Sequence, residues 1–558
     1  MSLRASPVLT VSASIIALLV LAPIALLIFG MFWSTSPGLP GEFTLANIGP
    51  GLDFAENLDL ISNTFVFAFG STIVSMSIAT ALALILQRTN TPGRRIFDAV
   101  VLVQFVFPSF LGDIAWIFLG SPKIGLVNYA LMAAFGLESP PFNIYSQAGM
   151  IWSQGLALAA LAYLLIHPAF YNMDPSYEEG ARISGANIKN ALQKVTLPIL
   201  YPSIITTALL LFMISLRSFE TPTFLGLPGG VRVYMSAIYE NTHLAIPAKY
   251  GVATTQATAF LVVMLIVLLF YLKTTSRLKK FVAITGKGYR PSVINLGKWR
   301  FATMAFSMGY LGLAIFLPFA MIFYISFLPF YTATQNTIPL LTTENYAEVI
   351  GSNLMIEAAW NSTYVATLSA FVGTIGATLL SYMALRTRLV GKRFFEMIGN
   401  LPLGYPGLVF GLALLWTFLT FFRQIHGTPY ALVIAYLVIF MPVAMRSIAN
   451  SLIQLHTELE EAGQIAGASW LRTIQAITIP LMKPALINTF ILVFLNSYRE
   501  LGTAVLLAGP GMFVMPVIIL FYWNIAWFPT VAAATTLYGG GMMAVLIVTR
   551  ALLRKQTR

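Results

Sequence analysis

Twelve apolar stretches run through the chain, and each is long enough to cross a lipid bilayer as a helix. A hydrocarbon core of about 30 Å needs some 20 helical residues. Charged residues are scarce, with 32 basic and 20 acidic side chains among 558 residues, whereas about a quarter is typical of soluble proteins. We therefore predict an all-α integral membrane protein with about 12 transmembrane helices. The stretches lie near residues 10–33, 61–86, 96–119, 149–171, 197–216, 251–272, 301–327, 359–385, 394–421, 429–448, 479–498 and 526–549.

The placement of the basic residues indicates how these helices are oriented. With a cytoplasmic N-terminus, 26 of the 32 basic residues fall in or beside cytoplasmic loops, as the positive-inside rule requires. This placement accounts for the net charge of +12 without a nucleic-acid partner, and it puts both termini in the cytoplasm. Another apolar run, 512–528, would move the basic C-terminus outside if it crossed, so we interpret it as a re-entrant or periplasmic-surface segment.

The second half of the chain repeats the first. The segment QRTNTPGRR from Gln87 matches LRTRLVGKR from Leu385 at an offset of 298 residues, and the same offset relates Pro108 to Pro406. Each half has the same predicted orientation, so the repeat is parallel, with a pseudo-twofold axis along the membrane normal. We predict a first six-helix half at 1–272, a cytoplasmic linker at 273–300, a second half at 301–558, and a pathway between the halves.

Two predicted cytoplasmic loops share one pattern at an offset of 282 residues. Both follow E-[AG]-[AG]-x3-G-x9-[IV]-x-[LI]-P, from Glu179 in the first half and Glu461 in the second. The central glycine permits a turn that other residues resist, an amphipathic stretch follows, and the proline begins the next membrane helix. The pattern residues are Glu179, Ala181, Gly185, Pro198, Glu461, Gly463, Gly467 and Pro480.

These paired loops resemble the EAA signature of membrane permeases in ABC importers of the type I architecture, in a form that fuses two halves in one chain. The resemblance implies a bacterial inner-membrane permease whose loops dock two copies of a cytoplasmic ATP-binding subunit, with solute delivered by a periplasmic binding protein. An amphipathic helix lying on membrane lipid would explain one such loop. It explains two copies with matching Glu, Gly and Pro poorly.

Catalytic and cofactor-binding patterns are missing from the sequence. No G-x4-G-K-[ST] phosphate loop occurs, so ATP hydrolysis is assigned to a separate subunit and no cofactor is predicted. The chain has no cysteine and only four histidines, far apart, so we predict no metal site. No nucleophile is paired with a base, which argues against an enzyme.

Three acidic residues are candidates for the translocation path, because burial of a charge in a membrane is costly. Glu220 and Glu500 follow the fifth and eleventh stretches at near-equivalent places, and Asp113 lies in the third stretch. A cation pathway could use all three. The structural alternative is an ion pair of the glutamates with Arg217 or Arg499, or carboxylates that hold loop amides, and for Asp113 a hydrogen bond between helices.

Among fused permeases, the chain is most similar to the ferric iron group. The segments ITGKGYRP (284–291) and LGKWR (296–300) carry this resemblance, which implies ferric iron as the solute. Permeases for thiamine, phosphonate or polyamine are alternatives within the same architecture. An ion-coupled secondary transporter is the alternative class, since it also commonly has twelve helices and repeated halves, but it needs carboxylates deep in the membrane and no docking loops.

Overall fold

The fold is almost entirely helical in the computed structural model, which describes residues 7–104, 107–174, 176–278, 293–332, 338–387 and 392–556. Across these ranges only isolated β-bridges occur, and no strand forms. The first half contains α1 (Pro7–Gly30), α2 (Ile48–Gly51), α3 (Phe54–Arg88), α4 (Arg94–Gln104), α5 (Ser109–Gly120), α6 (Leu126–Phe135), α7 (Gln147–Asn172), α8 (Ser176–Ile183), α9 (Ile188–Ala191), α10 (Leu197–Leu216), α11 (Tyr234–Tyr239) and α12 (Tyr250–Leu278). The second half contains α13 (Arg300–Leu311), α14 (Leu317–Ser326), α15 (Glu344–Gly351), α16 (Asn353–Arg386), α17 (Lys392–Asn400), α18 (Gly407–Phe421), α19 (Pro429–Gln454), α20 (Thr457–Ile465), α21 (Trp470–Thr473), α22 (Ile479–Tyr498), α23 (Ala504–Leu507), α24 (Met515–Asn524) and α25 (Phe528–Gln556).

The long apolar helices confirm a multi-pass membrane protein, although they do not reach the predicted number. Within the described residues, nine helices are long and apolar enough to span a bilayer, or ten if one bent pair counts as a span. The nine lie at Ala13–Gly30, Asn57–Arg88, Gln147–Asn172, Leu192–Leu216, Tyr250–Leu278, Gly297–Ser326, Asn353–Arg386, Pro429–Gln454 and Leu471–Tyr498. The count of twelve is therefore not confirmed.

Two predicted spans, 96–119 and 394–421, are broken rather than straight. In the second half the helical segments Arg393–Gly404 and Gly407–Phe421 meet at 111°, and in the first half α5 starts anew at Ser109. Pro108 and Pro406 stand immediately before α5 and α18 in extended conformation. A proline lacks the N–H that would continue the preceding helix, and it disfavours helical backbone in the residue before it. In the second half the chain therefore changes direction at Pro406, and in the first half no continuous helix runs through Pro108.

Within the apolar run 512–528, the ten-residue helix α24 follows the extended residue Val514 and ends in a turn at Ile525. At 1.5 Å per residue it is about 15 Å long, which is half the thickness of a hydrocarbon core. Its first six residues are buried, so this segment packs into the protein and is too short to cross the membrane.

The internal repeat appears in the hydrogen bonds of equivalent residues. Asn47 donates through Nδ2 to the carbonyls of Met31 and Trp33, at 3.2 and 2.8 Å. Asn345, 298 residues later, donates in the same way to the carbonyls of Ser326 and Leu328, at 3.0 and 2.7 Å. In both halves the asparagine therefore ties the end of the first helix to the following loop.

The two halves interlock rather than sit side by side. Helix α1 of the first half packs on α16 and α18 of the second, and α14 of the second half packs on α5 of the first. The predicted linker 273–300 overlaps the end of α12 and then continues into α13, whereas 284–291, which carries part of the iron-group resemblance, lies outside the described residues. After it, the amide of Ile294 donates to the carbonyl of Arg88 at 2.8 Å.

Candidate functional site

The two predicted docking loops have the same backbone geometry. Gly185 has φ +88° and Gly467 has φ +87°, a left-handed conformation that costs other residues roughly 1–2 kcal/mol. Each glycine ends a short helix, α8 or α20, and the turn closes with equivalent amide-to-carbonyl bonds: Ala186 to Ala181 and Ala468 to Gly463, both at 3.0 Å. The predicted glycine turns are therefore present in both halves, at the offset of 282 residues.

A helix resumes after each turn and carries the predicted proline. Pro198 and Pro480 occupy the first turn of α10 and α22. A single π-helical turn precedes each of them, at Leu192–Thr196 and Ile474–Thr478. Proline has no N–H to donate to the preceding turn. In both halves the backbone just before the proline has the wider i→i+5 hydrogen-bond pattern of a π turn.

The two adjacent glutamates at the start of each loop differ in their exposure to solvent. Glu179 and Glu461, which belong to the sequence pattern, are exposed, whereas Glu178 and Glu460 are buried. The buried pair accepts equivalent hydrogen bonds from the π turns: Thr196 Oγ1 donates to Glu178 at 2.6 Å, and Thr478 Oγ1 donates to Glu460 at 2.9 Å. In each half the buried glutamate therefore fastens the loop helix to the base of the next membrane helix.

Each buried glutamate also lies near an arginine, and these two arginines occupy matching positions in the internal repeat. Arg88 Nη2 donates to Glu178 Oε2 at 2.6 Å, and the arginine side chain is fully buried. The equivalent Arg386 approaches Glu460 only to 4.0 Å, and Tyr382 donates to that carboxylate at 3.0 Å. Sequence reasoning used these arginines as orientation markers and missed the contact, although the matching positions of Arg88 and Arg386 were the available signal.

Each loop exposes an isoleucine at the same place. Ile183 is 88% exposed and Ile465 is 87% exposed, and both lie at the end of the loop's first helix, 282 residues apart. Tyr177 and Leu459, six residues earlier, are a second exposed pair with the same spacing. We call these four residues the loop patches. They leave apolar surface on each loop that the described residues do not cover.

A cavity of about 530 Å³ lies between the halves. Helices α7 and α10 of the first half and α19 of the second contribute to its wall, together with segments after α10 and α22. Its charged lining residues are Arg217, Glu220, Arg446, Arg499 and Glu500. The structure thus has a cavity where the sequence predicts a pathway between the halves, and both candidate glutamates line this cavity.

The carboxylate of Glu220 accepts a hydrogen bond at the start of α5, and the carboxylate of Glu500 lies near the start of α18. Ser109, the first residue of α5, donates its hydroxyl to Glu220. Glu500 lies against Gly407, the first residue of α18, and accepts the backbone amides of Thr503 and Ala504, at 3.0 and 3.3 Å. Helix N-termini favour negative charge, and the Glu500 contacts match the carboxylate that holds loop amides, which is the structural alternative considered from sequence.

Two arginines of the cavity interact with the glutamate of the opposite half. Arg217 of the first half lies close enough to Glu500 of the second for their charges to interact, and Arg499 of the second half does the same with Glu220 of the first. The charge interactions of these arginines therefore run between the halves, whereas the ion pairs considered from sequence lie within one half.

Asp113 lies behind the cavity wall and bonds to neighbouring segments. It is 1% exposed and accepts hydrogen bonds from Ser153 on α7 at 2.6 Å and from Thr221 at 2.9 Å. This is the helix-to-helix hydrogen bond that the sequence offered as the alternative to a path residue. Among the described residues, no group of three His, Cys, Asp or Glu side chains could hold a metal ion.

The interlocked halves, the paired loops and the cavity agree with the comparison to known families. The family described as "Binding-protein-dependent transport system inner membrane component" matches the chain twice, over residues 75–280 and 376–558. The chain belongs to this family. Its membership confirms the resemblance to binding-protein-dependent permeases, and it places the chain among membrane transport components rather than enzymes.

Relatives of the chain include permeases named for ferric transport. The ferric transport system permease protein FbpB of Actinobacillus pleuropneumoniae is 28% identical over 442 residues, which is 78% of this chain and 62% of that protein. Fe(3+)-transport system permease protein FbpB 2 of Haemophilus influenzae is 23% identical over 455 residues, 81% of each. A putative 2-aminoethylphosphonate transport system permease, PhnU of Salmonella typhi, is 28% identical over 235 residues, 40% of this chain and 81% of the relative. The match to the first of these spans less than two thirds of that relative's length.

Proposed function

We propose that this chain is the permease subunit of an ATP-driven importer in the bacterial inner membrane, with both termini in the cytoplasm. The paired loops are the observation that carries the proposal. Two loops with the same left-handed glycine, the same buried glutamate and the same exposed isoleucine support two equivalent docking sites. Two sites fit two copies of a cytoplasmic ATP-binding subunit, which would bind and hydrolyse the ATP, since this sequence has no phosphate-binding loop.

Coupling follows from how each loop is attached. Glu178 and Glu460 bond to the threonines at the base of α10 and α22, and those helices lead directly to the segments that carry Arg217, Glu220, Arg499 and Glu500 in the cavity. A displacement of a docked loop would thus be transmitted along a helix to the cavity wall. Alternating exposure of the cavity would follow from movement of the two halves against each other.

Ferric iron, delivered by a periplasmic binding protein, is the solute we propose. Two relatives that match most of the chain are named as permeases of ferric transport systems, which supports this choice. The cavity holds no cluster of metal ligands among the described residues, so it would pass the solute on rather than bind it tightly. A phosphonate is the second candidate, because a relative with that name matches 40% of the chain.

An ion-coupled secondary transporter is the less favoured class. Such a mechanism needs carboxylates that can exchange a coupling ion. Here Ser109 bonds to Glu220, and the amides of Thr503 and Ala504 bond to Glu500. These contacts favour structural carboxylates over exchanging ones.

The glycine turns allow a sharp test of docking. A Cβ at Gly185 or Gly467 would meet no atom of the described residues within 4 Å, so Ala adds only backbone strain whereas Trp also adds bulk toward a partner. We expect Gly185→Trp and Gly467→Trp to lower co-purification of the ATPase subunit and solute uptake at least tenfold. The Ala variants should lose threefold or less. The readouts are pull-down with a tagged chain and uptake into membrane vesicles.

A control glycine on another part of the molecule separates docking from folding. Gly136 also has positive φ, at +64°, with no atom near its missing Cβ, but it ends α6, away from both loops. We expect Gly136→Trp to retain ATPase binding and uptake. Full uptake by the Gly185→Trp and Gly467→Trp variants, or equal loss in all three, would refute the docking proposal.

A further inference from the structure

Arg446 is a charged residue of the cavity wall without a partner among the described residues. It lies on α19, eight residues before the end of that helix at Gln454, which is about 12 Å along the axis. Its side chain lines the cavity, and within the described parts of the chain it makes no hydrogen bond or ion pair. The other two cavity arginines differ, since Arg217 faces Glu500 and Arg499 faces Glu220.

The internal repeat does not account for this arginine. At the offset of 282 residues that aligns α7 with α19, Phe440 and Val443 correspond to Leu158 and Leu161, and all four line the cavity. Arg446 instead corresponds to Leu164. Arg446 lies near the cytoplasmic end of the predicted span 429–448, where the positive-inside rule accounts for a basic residue but not for a side chain that lines the cavity. No described partner and no arginine in the other half explains that position, so we consider a ligand in the cavity.

The charge of the cavity indicates which kind of ligand fits. Three arginines and two glutamates line it, so the lining carries one net positive charge. Ser109 bonds to Glu220, and backbone amides bond to Glu500. A bare cation would meet the guanidinium of Arg446 as a like charge. An oxygen anion would meet a planar donor that can bind it with two parallel hydrogen bonds.

We propose that Arg446 binds an anionic oxygen group of the solute, so that the metal ion crosses as an oxyanion or carboxylate complex rather than as a bare cation. This inference rests on the proposed importer function and names the chemical form of its solute. Phosphate and citrate both present the required oxygens, and the experiment distinguishes them.

The test follows metal and anion separately in one preparation. The chain, its ATPase subunits and the binding protein are reconstituted in proteoliposomes and supplied with ⁵⁵Fe(III) together with [³³P]phosphate or [¹⁴C]citrate. We expect one of the two anion labels to accumulate with the iron. Arg446→Gln should lower uptake of iron and anion at least tenfold, while stimulation of ATP hydrolysis by the binding protein stays within twofold of wild type. Arg446→Lys, which keeps the charge, should recover part of the uptake.

A matched variant controls for the loss of one positive charge. Arg300 is exposed at the start of α13 and lies outside the cavity. We expect Arg300→Gln to leave uptake unchanged. Iron uptake without either label, or unchanged uptake by Arg446→Gln, would overturn the inference. Anion uptake that needs Arg446 but not iron would also overturn it, because the anion would then cross without a metal, and it would reject ferric iron as the solute. Failure of the binding protein to stimulate ATP hydrolysis in wild type would reject the importer function itself, and with it this inference.

Discussion

The buried arginine and glutamate pairs show how one residue contact differs between repeated halves. Arg88 and Glu178 meet at 2.6 Å with side chains 0% and 8% exposed, whereas Arg386 and Glu460 are 4.0 Å apart. Arg386 instead donates to the carbonyls of Leu452 and Leu455, at 2.8 and 2.6 Å. Arg386 thus has two backbone partners besides its glutamate, whereas Arg88 has Glu178 as a directly bonded, charged partner.

This difference predicts unequal effects of the same substitution. Glu178→Gln would leave the buried charge of Arg88 uncompensated, and the free energy of unfolding should fall by about 3 kcal/mol, the lower end of what such losses cost. Glu460→Gln should cost about 1 kcal/mol, the usual net value of a hydrogen bond. The measurement is the SDS concentration at the midpoint of unfolding of the purified protein in mixed micelles. Equal shifts, or a larger shift for Glu460→Gln, would contradict the prediction.

An apolar replacement of both partners provides the control. Buried ion pairs replaced by apolar residues of similar volume are often neutral in stability. Arg88→Met combined with Glu178→Leu should therefore unfold closer to wild type than Glu178→Gln does. If the double variant were the less stable, packing rather than the unpaired charge would explain the single variant.

At the scale of elements, the broken helices depend on close contact between α18 and the segment after α22. A Cβ on Gly407 would lie 2.6 Å from Glu500 Oε1 and 3.0 Å from Thr503 Oγ1, which is too close for both to keep their positions. Gly407→Ala should push the carboxylate away from the start of α18 and lower the free energy of unfolding by about 1–3 kcal/mol, as overpacking does. SDS titration of the purified protein measures the change.

A glycine in the matching helix of the first half serves as the control. Gly112 in α5 has no atom within 4 Å of its missing Cβ, and alanine is favoured over glycine inside a helix by roughly 0.5–1 kcal/mol. Gly112→Ala should therefore leave stability unchanged or raise it. The prediction for Gly407 fails if its alanine variant is as stable as wild type.

The same elements show why part of the fold was predictable and part was not. The glycine turns at Gly185 and Gly467 follow from sequence, because a repeated glycine in a repeated pattern indicates a backbone that needs it. The broken spans do not, because hydropathy records how apolar a stretch is and not its direction. Proline is no reliable guide either, since α1, α7, α10, α19 and α22 each continue through an internal proline. Neighbouring helices and local backbone adjustment can satisfy the freed carbonyls in a membrane.

The site was predictable to a similar extent. Glu220 and Glu500 occupy near-equivalent sequence positions, so a pseudo-twofold axis is enough to bring both to one cavity. Arg217 and Arg499 stand three residues before and one residue before their respective glutamates, and only the packing of the halves shows that each faces the other half's glutamate. Arg446 has no equivalent in the repeat, and a single arginine near a predicted helix end reads from sequence as an orientation marker.

At the scale of the whole molecule, the first helices of each half pack on the other half. We therefore expect these contacts, rather than the covalent linker, to hold the halves together. Helix α1 packs on α16 and α18, α13 packs on α4, and α14 packs on α5. Within the linker, Ile294 bonds to the backbone of both Arg88 and Asn90, at 2.8 and 3.1 Å. The helices α1 and α14, which lie outside the linker, also bind each half to the other.

Cutting the linker should consequently leave the permease assembled. With a protease site inserted after residue 285 and an affinity tag at the N-terminus, we expect the C-terminal fragment to co-purify fully with the tagged fragment after cleavage in mild detergent. Uptake should remain within twofold of the uncut protein, because the paths from the loops to the cavity lie within α10 and α22. The unmodified chain treated with the same protease shows whether other sites are cut. If the fragments part in mild detergent, the covalent link rather than the crossed helices holds the halves together, and the transport pathway between them depends on that link.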